Sequence, residues 1–165
     1  MSESCGNVLV VDDEQDLAES CAFFLRRNGY HVQCAGSGEE AVALLEDGEF
    51  ELVITDLKMP RMSGIELLGS IKQRDPDVEV VVITGFPEVE TAVEAMKLGA
   101  LDYLTKPFNE DSLMQRVEKA FAHRQVTASN AELKERLRAG AEGRLLTWVS
   151  DEFRATVETV QKAAR

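Results

Sequence analysis

Five short apolar runs, several of them β-branched, alternate with longer amphipathic stretches through the first 121 residues, and this alternation constrains the fold more than any other feature. The runs are 8–11, 31–35, 52–55, 78–84 and 101–105. A continuous apolar run of strand length reads as a strand covered on both faces, and parallel strands need a helical crossover between them. The chain therefore reads as an α/β protein, (βα)5, with a doubly wound parallel five-stranded sheet and helices on both faces.

The intervening stretches carry helix periodicity and end signals. Leu17, Cys21, Phe24 and Leu25 fall on one face of a helix over 16–28, and Gly29 supplies a left-handed C-terminal cap. Ser37 followed by Glu40 predicts a capping box for a second helix through Ala41, Leu44 and Leu45, ending at Gly48. A third helix over 64–74 carries Ile65, Leu68 and Ile71 ahead of Pro76. A fourth over 88–98 carries Val89, Ala92, Val93 and Met96 and closes at Gly99. The fifth starts near Asn109, with Leu113, Val117, Ala120 and Phe121 turned inward.

Helical composition continues past Phe121 to Arg138 without Pro or Gly. His123, Asn130 and Leu137 fit heptad a positions and Val126, Leu133 and Gly140 fit d, a pattern open both to a two-stranded coil and to a solvated helix. Gly140 and Gly143 are expected to break this helix. A further short amphipathic helix is expected from Ser150 to Arg165, with Phe153, Val157 and Val160 on its apolar face. One such helix cannot make a core of its own. The expected organisation is a domain over 1–124, a helical linker and candidate coiled coil over 125–143, and the incomplete start of an output domain over 144–165.

Charge narrows the partners. Through Gln125 there are 11 basic and 24 acidic residues, a net charge of −13, whereas the remainder holds 7 basic and 6 acidic, a net charge of +1. So acidic a surface repels phosphate backbones, and direct binding of nucleic acid is not expected. Cys5, Cys21 and Cys34 lack metal-site spacing, and no apolar run approaches the length needed to span a bilayer. A cytoplasmic protein with reduced thiols is expected.

Chemistry gathers where strands end. In a doubly wound sheet ligands bind beyond the carboxyl ends of the strands. Asp12 and Asp13 follow the first strand, Asp56 and Thr84 end the third and fourth, and Lys106 follows the fifth. Three carboxylates in one crevice are driven toward protonation unless a cation offsets them, and Mg²⁺ suits an all-oxygen site shared with phosphoryl oxygens. Lys106 and Thr84 suit an arriving anion, and a carboxylate such as Asp56 is a competent nucleophile toward phosphorus. Taken singly, Asp12 or Asp13 is equally a helix cap, Lys106 an ion-pair arm and Tyr103 ordinary core.

The segments VLVVDDE, VITDLKMPRMSGIELL, VVVITG and LDYLTKPF, in this order and spacing, resemble the receiver domain of two-component response regulators over roughly residues 7–121. The resemblance implies a flavodoxin-like sheet of strand order 2-1-3-4-5. It makes Asp56 the phosphoacceptor and assigns Mg²⁺, with Mn²⁺ a possible substitute, to the side chains of Asp13 and Asp56, to Asp12 through water, and to the backbone carbonyl of Lys58. Thr84 and Lys106 would contact phosphoryl oxygens, Tyr103 would be the switch aromatic, and Lys106-Pro107 would be cis. Phe86, two residues past Thr84, is expected to limit water access and slow hydrolysis of the aspartyl phosphate.

The stretch VETAVEAMKLGALDYLTKPF is similar to the nitrogen-regulator (NtrC-like) branch, whose members activate sigma-54 RNA polymerase, and SDEFRATVETVQKAA resembles the opening helix of that branch's AAA+ ATPase. No G-x-x-x-x-G-K-[ST] loop occurs in the sequence, so the chain reads as an N-terminal fragment or a stand-alone form. The resemblance implies a sensor histidine kinase as phosphodonor and a homodimer through the fourth helix, fifth strand, fifth helix and linker. It implies self-directed chemistry rather than an enzyme. The alternatives are a haloacid-dehalogenase-like Mg²⁺ phosphatase, which wants D-x-D on its first strand, and a receiver acting by protein contacts alone.

Overall fold

The computed structural model describes residues 5–86 and 88–163, with side chains through residue 139. Strands β1 (Asn7–Val11), β2 (His31–Ala35), β3 (Leu52–Asp56), β4 (Glu79–Thr84) and β5 (Asp102–Thr105) alternate with helices α1 (Gln15–Arg27), α2 (Gly38–Asp47), α3 (Gly64–Arg74), α4 (Val89–Lys97) and α5 (Glu110–Ala163). All strand pairs are parallel and the order is β2-β1-β3-β4-β5, as the resemblance implies.

The central strands show why their sequences are unbroken apolar runs. Because successive side chains point to opposite faces, Leu9, Val11, Val53, Val80 and Val82 join one core with Ala41 of α2, Leu67, Leu68 and Ile71 of α3 and Ala95 of α4. Val8, Val10, Leu52, Ile54, Val81 and Ile83 join the other with Ala18, Cys21 and Leu25 of α1 and Leu113, Val117 and Ala120 of α5. Each large side chain buried this way contributes roughly 1.5–3 kcal/mol, so these two layers fix the strand ends with little play. The edge strand β2 is exposed at His31 and Gln33, since only one side of it has a neighbour.

Local signals are satisfied with small revisions. Gly29 and Gly99 adopt φ of 91° and 100° just past α1 and α4, a conformation that disfavours any Cβ. Ser37 caps α2 by accepting from the Glu40 N–H at 3.2 Å, but the Glu40 carboxylate reaches back to the Gly36 N–H at 2.7 Å, so the box is displaced by one residue. The closed capping box lies instead at α3, between Ser63 and Glu66. The buried face of α1 is Ala18, Cys21, Ala22 and Leu25, with Leu17 and Phe24 only half-buried. Cys21 and Leu25 thus lie in the core as expected, Phe24 packs against it, and the small Ala18 and Ala22 join the same buried face.

The helix break expected at Gly140 and Gly143 does not occur, because α5 continues to Ala163 and absorbs the separate helix expected from Ser150. A mid-helix glycine costs about 1 kcal/mol against alanine, too little to stop a helix whose neighbours are Ala, Leu, Arg and Glu. Which faces Phe153, Val157 and Val160 present lies outside the described side chains. The chain divides into two units, Met1–Arg124 and Gln125–Arg165. Near the end of the first, His123 Nδ1 lies 2.6 Å from the buried Glu79 carboxylate and Arg124 donates to the Asp77 carbonyl at 2.8 Å. Among the described residues no helix is long and apolar enough to cross a membrane.

Candidate functional site

Strand order reverses between β1 and β3, and the crevice at their carboxyl ends is where an α/β sheet offers its polar groups. There a carboxylate oxygen each from Asp12, Asp13 and Asp56 lies within 4.8 Å of the others. Asp12 and Asp56 are buried and Asp13 is exposed. Packing therefore holds two of the acids, and the third faces solvent.

Lys106 enters from the β5–α5 loop, across the cis peptide Lys106–Pro107, and its backbone N–H donates to the Thr84 carbonyl at 2.8 Å. Its ammonium donates to Asp56 Oδ2 at 2.7 Å and to Asp12 Oδ2 at 2.9 Å, and the exposed Glu14 carboxylate stands 3.7 Å away. Burial alone would lower the Lys106 pKa, but the hydrogen bonds and charges of Asp56 and Asp12 outweigh it and hold the pKa above the usual lysine range. Burial raises the Asp12 carboxyl, and the Lys106 bond and the Glu14 N–H only partly offset that, while the charge of Asp56 raises it further. Asp12 has a double role, for its Oδ1 also accepts the Glu14 N–H at 2.9 Å and so orders the entry to α1.

The loops on either side are tied to the same side chains. The Lys58 backbone N–H donates to Asp56 Oδ1 at 3.2 Å, and the Phe86 N–H donates to Thr84 Oγ1 at 3.1 Å. Thr84 is fully buried at the end of β4. Tyr103 lies on the neighbouring β5, half-buried against the α2–α3–α4 core, with its hydroxyl buried and unbonded among the described residues. All the residues singled out from sequence thus gather at one sheet edge except Tyr103, which stands on the adjoining face.

Two site-building residues carry no signal in the sequence pattern. A Cβ on Gly64 would come within 2.0 Å of the Asp56 carbonyl oxygen, so the first turn of α3 touches the backbone of Asp56 only because residue 64 is glycine. Thr55, buried beside it, donates its hydroxyl to the same carbonyl at 3.0 Å. A glycine after a capping serine reads as an ordinary helix start. Phe86 is 61% exposed, and the Lys58 ammonium lies 4.0 Å from its ring centroid.

The donor set is wholly oxygen, with net negative charge even after Lys106 is counted, and that fits a hard divalent cation rather than a thiolate- or imidazole-seeking one. The groups that suit phosphoryl oxygens are the neighbouring Lys106 ammonium and Thr84 hydroxyl, with a cation offsetting the acids.

Comparison with known proteins agrees with this geometry. Residues 8–118 match the family model of the response regulator receiver domain. The chain is 43% identical over 123 residues to the transcriptional regulatory protein ZraR of Salmonella typhimurium, covering 74% of this chain and 28% of that protein. It is 35% identical over 163 residues to the alginate biosynthesis transcriptional regulatory protein AlgB of Pseudomonas aeruginosa, covering 99% of this chain and 36% of that one. The chain therefore spans only about a third or less of the length of these relatives. The solved structure of NtrX from Brucella abortus superposes with a TM-score of 0.74 at 34% identity, over 78% of this chain and 29% of that one. A CheY-like receiver from Methanospirillum hungatei JF-1 superposes with a TM-score of 0.73 at 29% identity, over 75% of this chain and 99% of that one. The acidic crevice, the lysine across the sheet edge and the family match together show that this chain belongs to the response regulator receiver family.

Proposed function

We propose that this chain is a phosphorylation-dependent switch in which Asp56 accepts a phosphoryl group from a phosphohistidine of a sensor histidine kinase. The observation that carries this is the convergence of three carboxylates from two strand ends with one half-buried lysine ammonium bonded to two of them. Mg²⁺, or Mn²⁺ in its place, would be held by the side chains of Asp13 and Asp56, by Asp12 through water and by the Lys58 carbonyl. When bound, such an ion neutralises the acids and the oxygens of the incoming group.

An oxygen of the Asp56 carboxylate attacks phosphorus, the P–N bond to the donor imidazole breaks, and its electron pair returns to the imidazole. Lys106 moves from the Asp56 carboxylate toward the new phosphoryl oxygens, staying paired with Asp12, while the Thr84 hydroxyl donates to another. Movement of Thr84 draws the Phe86 N–H and its loop with it. Tyr103, half-buried on the neighbouring strand β5, turns further inward as Thr84 moves toward the phosphoryl group.

The output is transcription regulation of the sigma-54 activator type. The likeness to AlgB extends across the residues beyond the receiver, as does that to the C4-dicarboxylate transport regulator DctD of Rhizobium meliloti, which is 32% identical over 157 residues. In this reading 1–124 is the receiver, 125–143 a linker and 144–165 the start of the output domain, although no helix break marks the last boundary. Dimerisation runs through α4, β5, α5 and the linker, supported by the exposed Val89, Val93, Met96 and Leu98 and by the exposed Val126, Leu133 and Leu137.

Acetyl phosphate with Mg²⁺ tests the reading. The expected result is a single adduct of about 80 Da per chain, dependent on the cation, with no turnover of p-nitrophenyl phosphate. Sustained turnover of that ester would instead indicate a phosphatase.

A further inference from the structure

Packing holds α5 to the sheet only as far as Phe121, the last of its apolar side chains to rest against a core among the described residues. Every residue from 125 to 139 is exposed. The turn between is fastened by polar contacts instead. Glu79 opens β4 and is buried on the face that Val81 and Ile83 present to α5. Its carboxylate lies 2.6 Å from His123 Nδ1, and because an ionised carboxylate only accepts, the ring nitrogen donates. One turn earlier Lys119 pairs with Asp102 of the neighbouring β5 at 2.9 Å, and one residue later Arg124 donates to the Asp77 carbonyl at 2.8 Å. His123 therefore stands where burial ends and the exposed helix begins.

We infer that the His123–Glu79 contact is a latch at the base of β4 that templates the linker helix, so that pairing of the linker with a second copy depends on a contact inside the receiver. This rests on the linker reading of residues 125–143 and not on the phosphoacceptor. An isolated helix with no buried face is marginal in water at lengths up to about 15 residues, because its first turn is costly to form. The exposed stretch ahead of Gly140 has that length. A turn already held against the sheet supplies the nucleus, and residues from Gln125 onward extend it one hydrogen bond at a time. Heptad spacing alone would point His123 at a partner helix. The ring is turned to Glu79 instead, so the seam starts no earlier than Val126. Glu79 favours the contact as well, since a buried carboxylate that loses a donor bears the cost of its desolvation. Thr84 ends the strand that Glu79 begins, which places the latch and the Asp56 crevice at opposite ends of β4.

The test follows amide exchange by NMR in the full, unphosphorylated chain. Glu79→Met nearly keeps the volume of the buried side chain and removes the acceptor, on a strand that contributes nothing to the linker seam. It is expected to speed exchange at the amides of residues 125–133 about two- to tenfold, the factor equivalent to one hydrogen bond, while those of β3 hold. His123→Ala should do the same, although alanine raises intrinsic helix propensity. His123→Asn puts an amide nitrogen where Nδ1 stood and is expected to retain wild-type exchange. The double variant Glu79→Met with His123→Ala should lose no more than either single one, because both remove the same contact. Lys119→Met breaks a polar pair within the packed stretch of α5 and should leave the linker amides unchanged. Linker amides unaffected in Glu79→Met, or slowed in His123→Ala as propensity alone dictates, would overturn the latch. In sedimentation velocity Glu79→Met is expected to weaken self-association by the same factor, and self-association that holds while the linker amides loosen would overturn the link to pairing. A monomeric wild-type chain whose linker amides still lose protection in Glu79→Met would support the templating contact and contradict the linker pairing.

Discussion

At Asp12 one carboxylate is bonded to Lys106 and to a backbone N–H, yet burial still raises its pKa. A carboxyl that titrates higher in the folded than in the unfolded state binds more protons when folded, between its ordinary value of 3.8 and the raised one. Stability therefore falls as pH rises through that window, and the charged form costs stability at neutrality. Asp12→Asn is expected to raise the melting temperature of the cation-free chain at pH 7, with the gain fading as the pH approaches 4. Thermal unfolding across that range measures it, and a gain that grows on acidification would contradict the assignment. Lys106 has the opposite consequence: its raised pKa contributes stability present below 10.5 and lost only as pH rises through the folded value. Gly64 sets the tightest steric limit in the site, since a methyl group 2.0 Å from the Asp56 carbonyl cannot be accommodated. Gly64→Ala is expected to destabilise the fold by roughly 2–4 kcal/mol in denaturant unfolding, and a loss under about 0.5 kcal/mol would show that α3 is free to shift.

Among the elements, α5 departs furthest from its sequence reading. Its receiver turns were legible because Leu113, Val117 and Ala120 repeat at helical spacing and are buried. Its continuation was not, because glycine punctuation suggests a stop while the energetic cost of two glycines is small beside the summed propensity of their neighbours. The face of α1 was largely legible, with Cys21 and Leu25 in the core and Phe24 packed against it, whereas buried Ala18 and Ala22 were passed over because periodicity ranks large residues. Along α5, Val126, Leu133 and Leu137 are exposed at 60%, 56% and 66%, a spacing that suits pairing with a second copy. Replacing Leu133 and Leu137 together by Glu is expected to lower self-association at least tenfold in sedimentation velocity, about 1.4 kcal/mol. A wild-type chain that stays monomeric with and without a phosphoryl mimic would contradict the linker pairing.

For the molecule as a whole, the site was legible where chemistry follows topology. Asp12, Asp13, Asp56, Thr84 and Lys106 each sit at or just past the end of an apolar run, and a doubly wound sheet brings such positions together at one edge. Contacts between distant loops were not legible, and the Lys58–Phe86 pair and the approach of Gly64 to Asp56 emerge only once the strands are aligned. Clustering acids against one lysine is costly for a fold that gains nothing from it, and in this account that cost is maintained for one reaction at one residue. The direct test treats wild-type and Asp56→Asn chains with acetyl phosphate and Mg²⁺ and maps the adduct by mass spectrometry. The expected result is an adduct of about 80 Da on the wild-type chain, located at Asp56 and absent from Asp56→Asn. An equal adduct on both chains would contradict the central claim.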